Sequence, residues 1–342
     1  MKTALLLIAL ALASFALELS VEGNVEGVFD NREFPSLAGS SQTFYGIRPT
    51  LTMGLKIDEM SSLHFGVNHF FQFGQESGHG IVYPLMSYEF AYEPHFFVFG
   101  IAPRRDFVSI ATFFISDGYD YQHQIFNGTY YQFSPSDRWK LALWLDWTGM
   151  RSTTQKEAFL LGAQAKYQGD KGLFIATDFM YNHTANKEGT TGDVQDYNGW
   201  TIDAGWQKKS GFKHIQLLNF GVTPSLRFSR DRSISKAYNT TIGLEEHAKI
   251  LFRRFGFAYQ HYNDLGGSPI RATLPSGESR YLEDMFDRID VFFFPLGKVD
   301  TPVKISAMFS AIIADGELNH REKLMVTVPF SHVFKKSSNA KE

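Results

Sequence analysis

Apolar and polar residues alternate along the stretch from Arg138 to Gly149, "RWKLALWLDWTG". Successive side chains of a β-strand point to opposite faces, so the alternation predicts a strand with one apolar face. That face begins at Trp139 and ends at Trp147, whereas Lys140 and Asp146 lie on the other parity. A tryptophan at each end is typical of a lipid-facing strand, because indole rings settle at headgroup level.

The same period-two pattern recurs in most of the chain, for example at 63–73, 173–181, 200–206 and 303–313. Long and short polar connections alternate between these segments, as in bacterial barrels with long outer loops and short periplasmic turns. The pattern therefore predicts an all-β protein, a transmembrane antiparallel β-barrel of about 16 strands. Counts of 14 or 18 stay open for two reasons: "DFVSIATFFI" is apolar enough to be a strand, and the join near Phe252 lacks Gly, Pro or Asn.

The chain divides into three predicted parts. Residues 1–16 combine Lys2, an apolar run and a small-x-small site, the pattern of a signal peptide. Residues 17–334 form the predicted barrel, and residues 335–342 a short polar tail. The mature chain has no apolar run of the roughly 18 residues that a membrane helix needs. The sequence contains no cysteine, so a disulfide framework is excluded.

Charged residues on the inward parity indicate a wet lumen, since a Lys or Arg facing lipid near the midplane costs about 2 to 4 kcal/mol. Barrels of 16 to 18 strands leave an aqueous channel. The predicted pore-lining residues are Arg48, Glu89, Lys140, Asp146, Lys166, Asp178, Asp203, Arg227, Glu245, Arg288 and Asp290. The net charge of -3 gives no indication of a nucleic-acid partner.

These features together resemble the porins of Gram-negative outer membranes, in architecture but not in any short motif. The resemblance implies an outer-membrane location, contact with membrane lipid, and passive diffusion of small hydrophilic solutes or ions with weak ion preference. A homotrimer follows only by analogy. In that family the third long loop narrows the pore. Here the matching loop, 103–120, would contribute a constriction of Arg104, Arg105, Asp106, Asp117 and Asp120. The last strand, "LMVTVPFSHVF", resembles the family's aromatic terminal strand, but "KKSSNAKE" follows it.

Catalytic motifs are missing from the sequence. Neither G-x-S-x-G nor H-E-x-x-H occurs, and the 11 histidines are scattered. We therefore expect a protein that is not an enzyme, with no catalytic residues, no cofactor and no metal. Two alternatives remain. A barrel enzyme that hydrolyses lipids or esters would be favoured by a Ser–His or carboxylate pair at hydrogen-bond distance. A non-conducting surface barrel that binds partners through its loops would be favoured by a lumen filled with the 103–120 segment.

Overall fold

The computed structural model describes residues 18–37, 41–74, 82–190, 194–209, 214–267, 276–296 and 302–335. The predicted signal peptide, 1–16, lies outside these ranges, as do residues 336–342 of the predicted tail. No helix in the described ranges is both long and apolar enough to cross a bilayer.

The described chain is built almost entirely from antiparallel strands joined in sequence order. The strand segments are β1 (Glu18–Glu33), β2 (Gln42–Lys56), β3 (Ser61–Asn68), β4 (Phe71–Gln72), β5 (Tyr83–Tyr92), β6 (His95–Pro103), β7 (Ile125–Ser136), β8 (Trp139–Gly149), β9 (Ala158–Gln168), β10 (Leu173–Thr184), β11 (Gln195–Lys209), β12 (Ile215–Asp231), β13 (Asn239–Phe252), β14 (Phe255–Gly267), β15 (Met285–Phe293), β16 (Lys304–Ala314) and β17 (Glu317–Lys335).

The sheet closes on itself because β1 pairs with β17 on one side and with β2 on the other. Segments β3 and β4 both pair with β2, so β4 continues β3 and the barrel has 16 strands. The predicted all-β barrel is confirmed. Both uncertainties in the count are resolved: Arg253 and Arg254 form a tight turn between β13 and β14, and no strand forms between Pro103 and Ile125.

The outward face is an apolar band between two aromatic belts. At the long-loop end, Trp147 stacks on Phe159 with ring centroids 5.5 Å apart. At the opposite end, Trp139 lies against Tyr167 at 4.7 Å. The two tryptophans are eight residue steps apart along β8, which at about 3.4 Å a step is roughly 27 Å and matches the apolar band of a tilted membrane strand.

Two segments fold into the lumen. The first follows β6 and contains the short helices α1 (Arg104–Phe107) and α2 (Asp117–Gln122); the second contains a 3-10 helix at Ser279–Leu282. They are joined by backbone hydrogen bonds, from Ser116 N to the Ser276 carbonyl at 2.6 Å and from Glu278 N to the Thr112 carbonyl at 3.1 Å. We call this pair of segments, 104–124 and 276–284, the lumen plug.

Apolar packing holds the lumen plug to the barrel wall. Phe113, Phe114 and Tyr281 form one buried cluster with wall residues such as Phe286. Trp144 belongs to a second cluster, against which Phe107 and Ile110 of the plug pack. Its indole lies over Gly162, where a Cβ would meet the ring at 2.0 Å, so this position requires glycine. Trp144 therefore helps to hold the lumen plug against the barrel wall.

Candidate active site

The five residues predicted at the constriction lie in the lumen plug, but ion pairs bind most of them to the wall. Arg104 is 2% exposed and pairs with Asp146 of β8. Arg105 pairs with Asp120 and also reaches Glu26. These guanidinium groups therefore fasten the plug to the wall.

The remaining two constriction residues differ from each other in their environment. Burial acts to raise the pKa of Asp117, but attraction to Lys323 and Arg321 outweighs it and holds the pKa well below its usual range. Asp106 is exposed to the lumen and forms no ion pair with any other described residue. The surrounding protein removes much of its hydration, and together with Glu89 and Glu22 this raises the pKa of Asp106 to about 6 against the pull of Arg48.

The predicted pore-lining residues fall into separate groups on the inner wall. Among the described residues, three ion-paired groups contain more than one of the predicted lumen residues: Arg104 with Asp146, Arg48 with Arg105 and Asp120, and Arg288 with Asp290. Lys140 and Lys166 are opposed on β8 and β9. Four more, Asp178, Asp203, Arg227 and Glu245, lie on the wall of β10 to β13, and Glu89 lies near His64 on β3.

Among the described residues, a Ser–His–acid group lies in the lumen at the short-turn end. Ser62 Oγ lies 2.9 Å from Nε2 of His64, which meets the distance expected of a hydrolase pair. However, Glu89 Oε2 lies 3.5 Å from the same nitrogen. A serine triad needs the hydroxyl on one ring nitrogen and the acid on the other, so this geometry does not activate Ser62.

A His–acid group lies on the outward face at the long-loop end, where β10 and β12 end and β11 begins. Nδ1 of His183 lies 2.8 Å from Oδ1 of Asp196, and the Tyr181 hydroxyl donates to the same carboxylate oxygen at 2.8 Å. Arg230 and Arg232 donate to the other oxygen, Oδ2. We call these five residues, Tyr181, His183, Asp196, Arg230 and Arg232, the rim cluster.

The local sequence explains how the rim cluster is assembled. His183 and Asp196 are opposed in the β10–β11 register, and Asp196 and Arg230 are opposed in the β11–β12 register. Directly opposed side chains share a face of the sheet, so the three project outward together. The Asp196 carboxylate is fully buried beneath its partners, whereas the Arg232 side chain remains 45% exposed.

The geometry of the rim cluster is that of an oriented base. Because Nδ1 of His183 donates to Asp196, Nε2 carries the lone pair and can accept a proton. Phe159 packs on the ring at 5.0 Å between centroids and limits its rotation. Two guanidinium groups share one carboxylate, so the cluster has an excess positive charge beside the imidazole.

Two other outward His–carboxylate pairs are less suited to proton transfer. In the first, Nδ1 of His261 lies 2.8 Å from Asp287, but Nε2 lies 2.6 Å from Asn263, which occupies the second nitrogen. In the second, Nε2 of His320 lies 3.2 Å from Glu322. Within the described ranges, no arginine forms an ion pair with Asp287 or Glu322. Among the described residues, no group of three or more His, Asp or Glu could hold a metal ion.

The rim cluster was missed from the sequence because each histidine was considered alone. A usable signal was present. On the outward parity, apolar residues give way to His183 on β10, to Asp196 on β11 and to Arg230 on β12. Each change occurs at the long-loop end of its strand, where an apolar band should pass into the headgroup region.

Comparison with solved structures defines the class of protein. An anion-selective porin from Comamonas acidovorans has a TM-score of 0.57 at 11% identity, covering 92% of this chain and 100% of that chain. A loop L8 deletion mutant of OmpT, an outer membrane protein of Vibrio cholerae, scores 0.55 at 11% identity, covering 91% and 99%. OmpF of Salmonella typhi, in complex with daunomycin, scores 0.52 at 10% identity, covering 93% and 99%. The protein is a Gram-negative outer-membrane barrel of porin-like architecture, as predicted.

The family is defined by sequence. The profile of the Lipid A 3'-O-deacylase-type family matches residues 13–264, more than half of the 342-residue chain, so the chain belongs to this family. No curated protein sequence matches. The expectation that the chain is not an enzyme is wrong, because its family is one of deacylases. No short sequence motif contains the rim cluster, because its residues lie on β10, β11, β12 and the turn that follows β12. All of its residues lie inside the matched range, whereas Asp287 and His320 lie beyond it.

Proposed function

We propose that this protein is an outer-membrane hydrolase that removes an ester-linked acyl chain from a lipid A-type glycolipid of the outer leaflet. The observation that carries the proposal is the rim cluster, in which His183 is oriented by Asp196 at 2.8 Å beside two arginines. Membership in the Lipid A 3'-O-deacylase-type family supports the same chemistry.

The position of the rim cluster suits a membrane-embedded substrate. His183 follows Tyr181 on the outward parity and lies directly opposite Phe159, which stacks on Trp147 in the aromatic belt. The acyl esters of a lipid lie where its headgroup meets the hydrocarbon, which is the depth that such belts mark. Ser62, in contrast, faces the lumen, where ion pairs and apolar packing hold the lumen plug in place.

The reaction assigned to this site is hydrolysis with His183 as general base. Nε2 takes a proton from water as the water oxygen attacks the ester carbonyl carbon. Arg230 and Arg232 stabilise the developing oxyanion or bind a headgroup phosphate. When the ester C–O bond breaks, the proton passes to the departing sugar oxygen, and the products are a fatty acid and a sugar hydroxyl.

The test uses the purified full-length protein refolded into vesicles that contain lipid A. Fatty acids released over time are identified by mass spectrometry, and the protein after heat unfolding is the control. We expect release of one ester-linked chain, with the amide-linked chains retained. A folded barrel that releases no fatty acid, or that releases ester and amide chains alike, would contradict the proposal.

A further inference from the structure

A cavity of about 380 Å³ lies in the lumen between the lumen plug and the wall of β9 to β14. It is separate from the rim cluster, which projects from the opposite face of the sheet. Its wall carries three carboxylates: Asp178, Asp203 and Glu245. Asp203 and Glu245 lie two strands apart, so their backbones are about 10 Å from each other at the usual strand spacing.

The charge of this cavity is unbalanced. Lys166 is the one ammonium among the lining residues that the structure describes, against three carboxylates. His247 Nε2 lies 3.7 Å from Asp203, which is longer than a direct hydrogen bond. The lining therefore holds two more carboxylates than ammonium groups, whereas Arg48 and Arg288 elsewhere on the lumen wall are each paired with an acid.

Two of the residues that line the cavity each carry a buried polar atom that has no hydrogen-bond partner among the described residues. Ser225 is 6% exposed and its Oγ is unpartnered, and the side-chain oxygen of Gln260 is also buried and unpartnered. Both residues line the cavity. A buried polar atom without a partner costs about 1 to 3 kcal/mol, so a ligand that bonds to these atoms would recover that cost.

The roof of the cavity is apolar and aromatic. Phe113 and Tyr281 of the lumen plug meet edge to face, with ring centroids 5.1 Å apart, and both line the cavity. Tyr281 is held in place by its hydroxyl, which donates to Glu245 at 2.7 Å. An aromatic roof over a polar, acidic floor complements a ring with one apolar face and several hydroxyl groups.

We propose that this cavity binds a small polyhydroxylated primary amine of the amino sugar class. The ammonium group lies against Asp203 and Asp178, hydroxyl groups bond to Ser225 Oγ and the Gln260 oxygen, and the ring packs on Phe113. This inference is independent of the proposed hydrolase, because none of these residues belongs to the rim cluster.

The test is isothermal titration calorimetry on the full-length barrel in detergent micelles, with D-glucosamine and D-glucose as the probes. The two sugars differ in one amine, so their comparison isolates the charge. We expect glucosamine to bind about tenfold more tightly than glucose, the size of a charge-assisted hydrogen bond. Asp203→Asn should remove that preference. Ser225→Ala should weaken the binding of glucosamine by about threefold to tenfold, the effect of losing one hydrogen bond.

Glu22→Gln is the matched control, since Glu22 is a lumen carboxylate that lines a different cavity. This variant should bind glucosamine as the unaltered protein does. Equal affinity for the two sugars, no binding of glucosamine by a folded barrel, or equal losses in the Asp203 and Glu22 variants would each overturn the inference. The test does not measure ester hydrolysis, so the inference of amino sugar binding can be right or wrong independently of the proposed function.

Discussion

Replacing His183 with glutamine is the sharpest perturbation of the rim cluster. Glutamine keeps a polar side chain that can still donate to Asp196, but it has no nitrogen that can accept a proton near neutral pH. General-base catalysis contributes about 10² to 10⁴ in rate, or roughly 3 to 5 kcal/mol of transition-state stabilisation. The Asp196 carboxylate cannot replace the base, because it is buried and bound by Arg230 and Arg232.

We therefore expect His183→Gln to lower kcat by at least about 100-fold and to change KM little. The assay is the initial rate of fatty acid release from lipid A vesicles at several substrate concentrations. His261→Gln is the matched control, since Nε2 of His261 is already occupied by Asn263, and its rate should stay within about twofold of the unaltered protein, the scatter expected where no catalytic interaction is lost. A folded His183→Gln barrel that retains at least about a third of the rate would refute the assignment of His183 as base, since losing a base should cost far more.

Four further outcomes are expected. Arg232→Gln should raise KM by about tenfold for a phosphorylated substrate but not for its dephosphorylated form, because Arg232 is exposed and supplies excess positive charge; equal effects on both substrates would count against headgroup binding. Ser62→Ala should leave ester hydrolysis unchanged in the same vesicle assay, and a loss of rate would point to the lumenal pair instead. Asp106→Asn should raise the midpoint of urea unfolding at pH 8 but not at pH 3.5. The pKa of Asp106 is about 6 in the folded protein and 3.8 in the unfolded chain, so the Asp106 carboxyl lowers the stability of the folded state as pH rises through that window. Equal shifts of the midpoint at both pH values would contradict this. Asp146→Asn should lower the free energy of unfolding in urea by about 3 to 5 kcal/mol, because it leaves the buried Arg104 charge without its partner. The control Asp170→Asn, which breaks the exposed pair with Arg138, should lower it by at most about 1 kcal/mol.

The barrel could be predicted from sequence because the environment of its side chains repeats every two residues along each strand. A strand with lipid on one side and a polar lumen on the other must alternate, and the stretch from Trp139 to Trp147 does so over its whole length. The two uncertainties in the predicted strand count each concerned one short segment. The turn at Arg253 and Arg254 uses no conventional turn residue, and the apolar run at 107–115 packs inside the lumen instead of forming a strand.

The candidate site could not be predicted in the same way. Register between strands decides which residues become neighbours, and His183, Asp196 and Arg230 come together only because β10, β11 and β12 pair as they do. The inward charges were expected to line an open pore. Asp146 shows why parity alone is insufficient: its carboxylate lies on the inward parity, but it pairs with Arg104 of the inward loop and so holds that loop in place.

The most direct test of the central claim is the mass of lipid A extracted from Gram-negative cells that express either the unaltered protein or the His183→Gln variant at equal levels in the outer membrane. With the unaltered protein, we predict lipid A that is lighter by one ester-linked acyl chain, and with the variant, lipid A of unchanged mass. Unchanged lipid A with both proteins would contradict the proposed hydrolase, and the same loss with both would contradict the rim cluster as its active site.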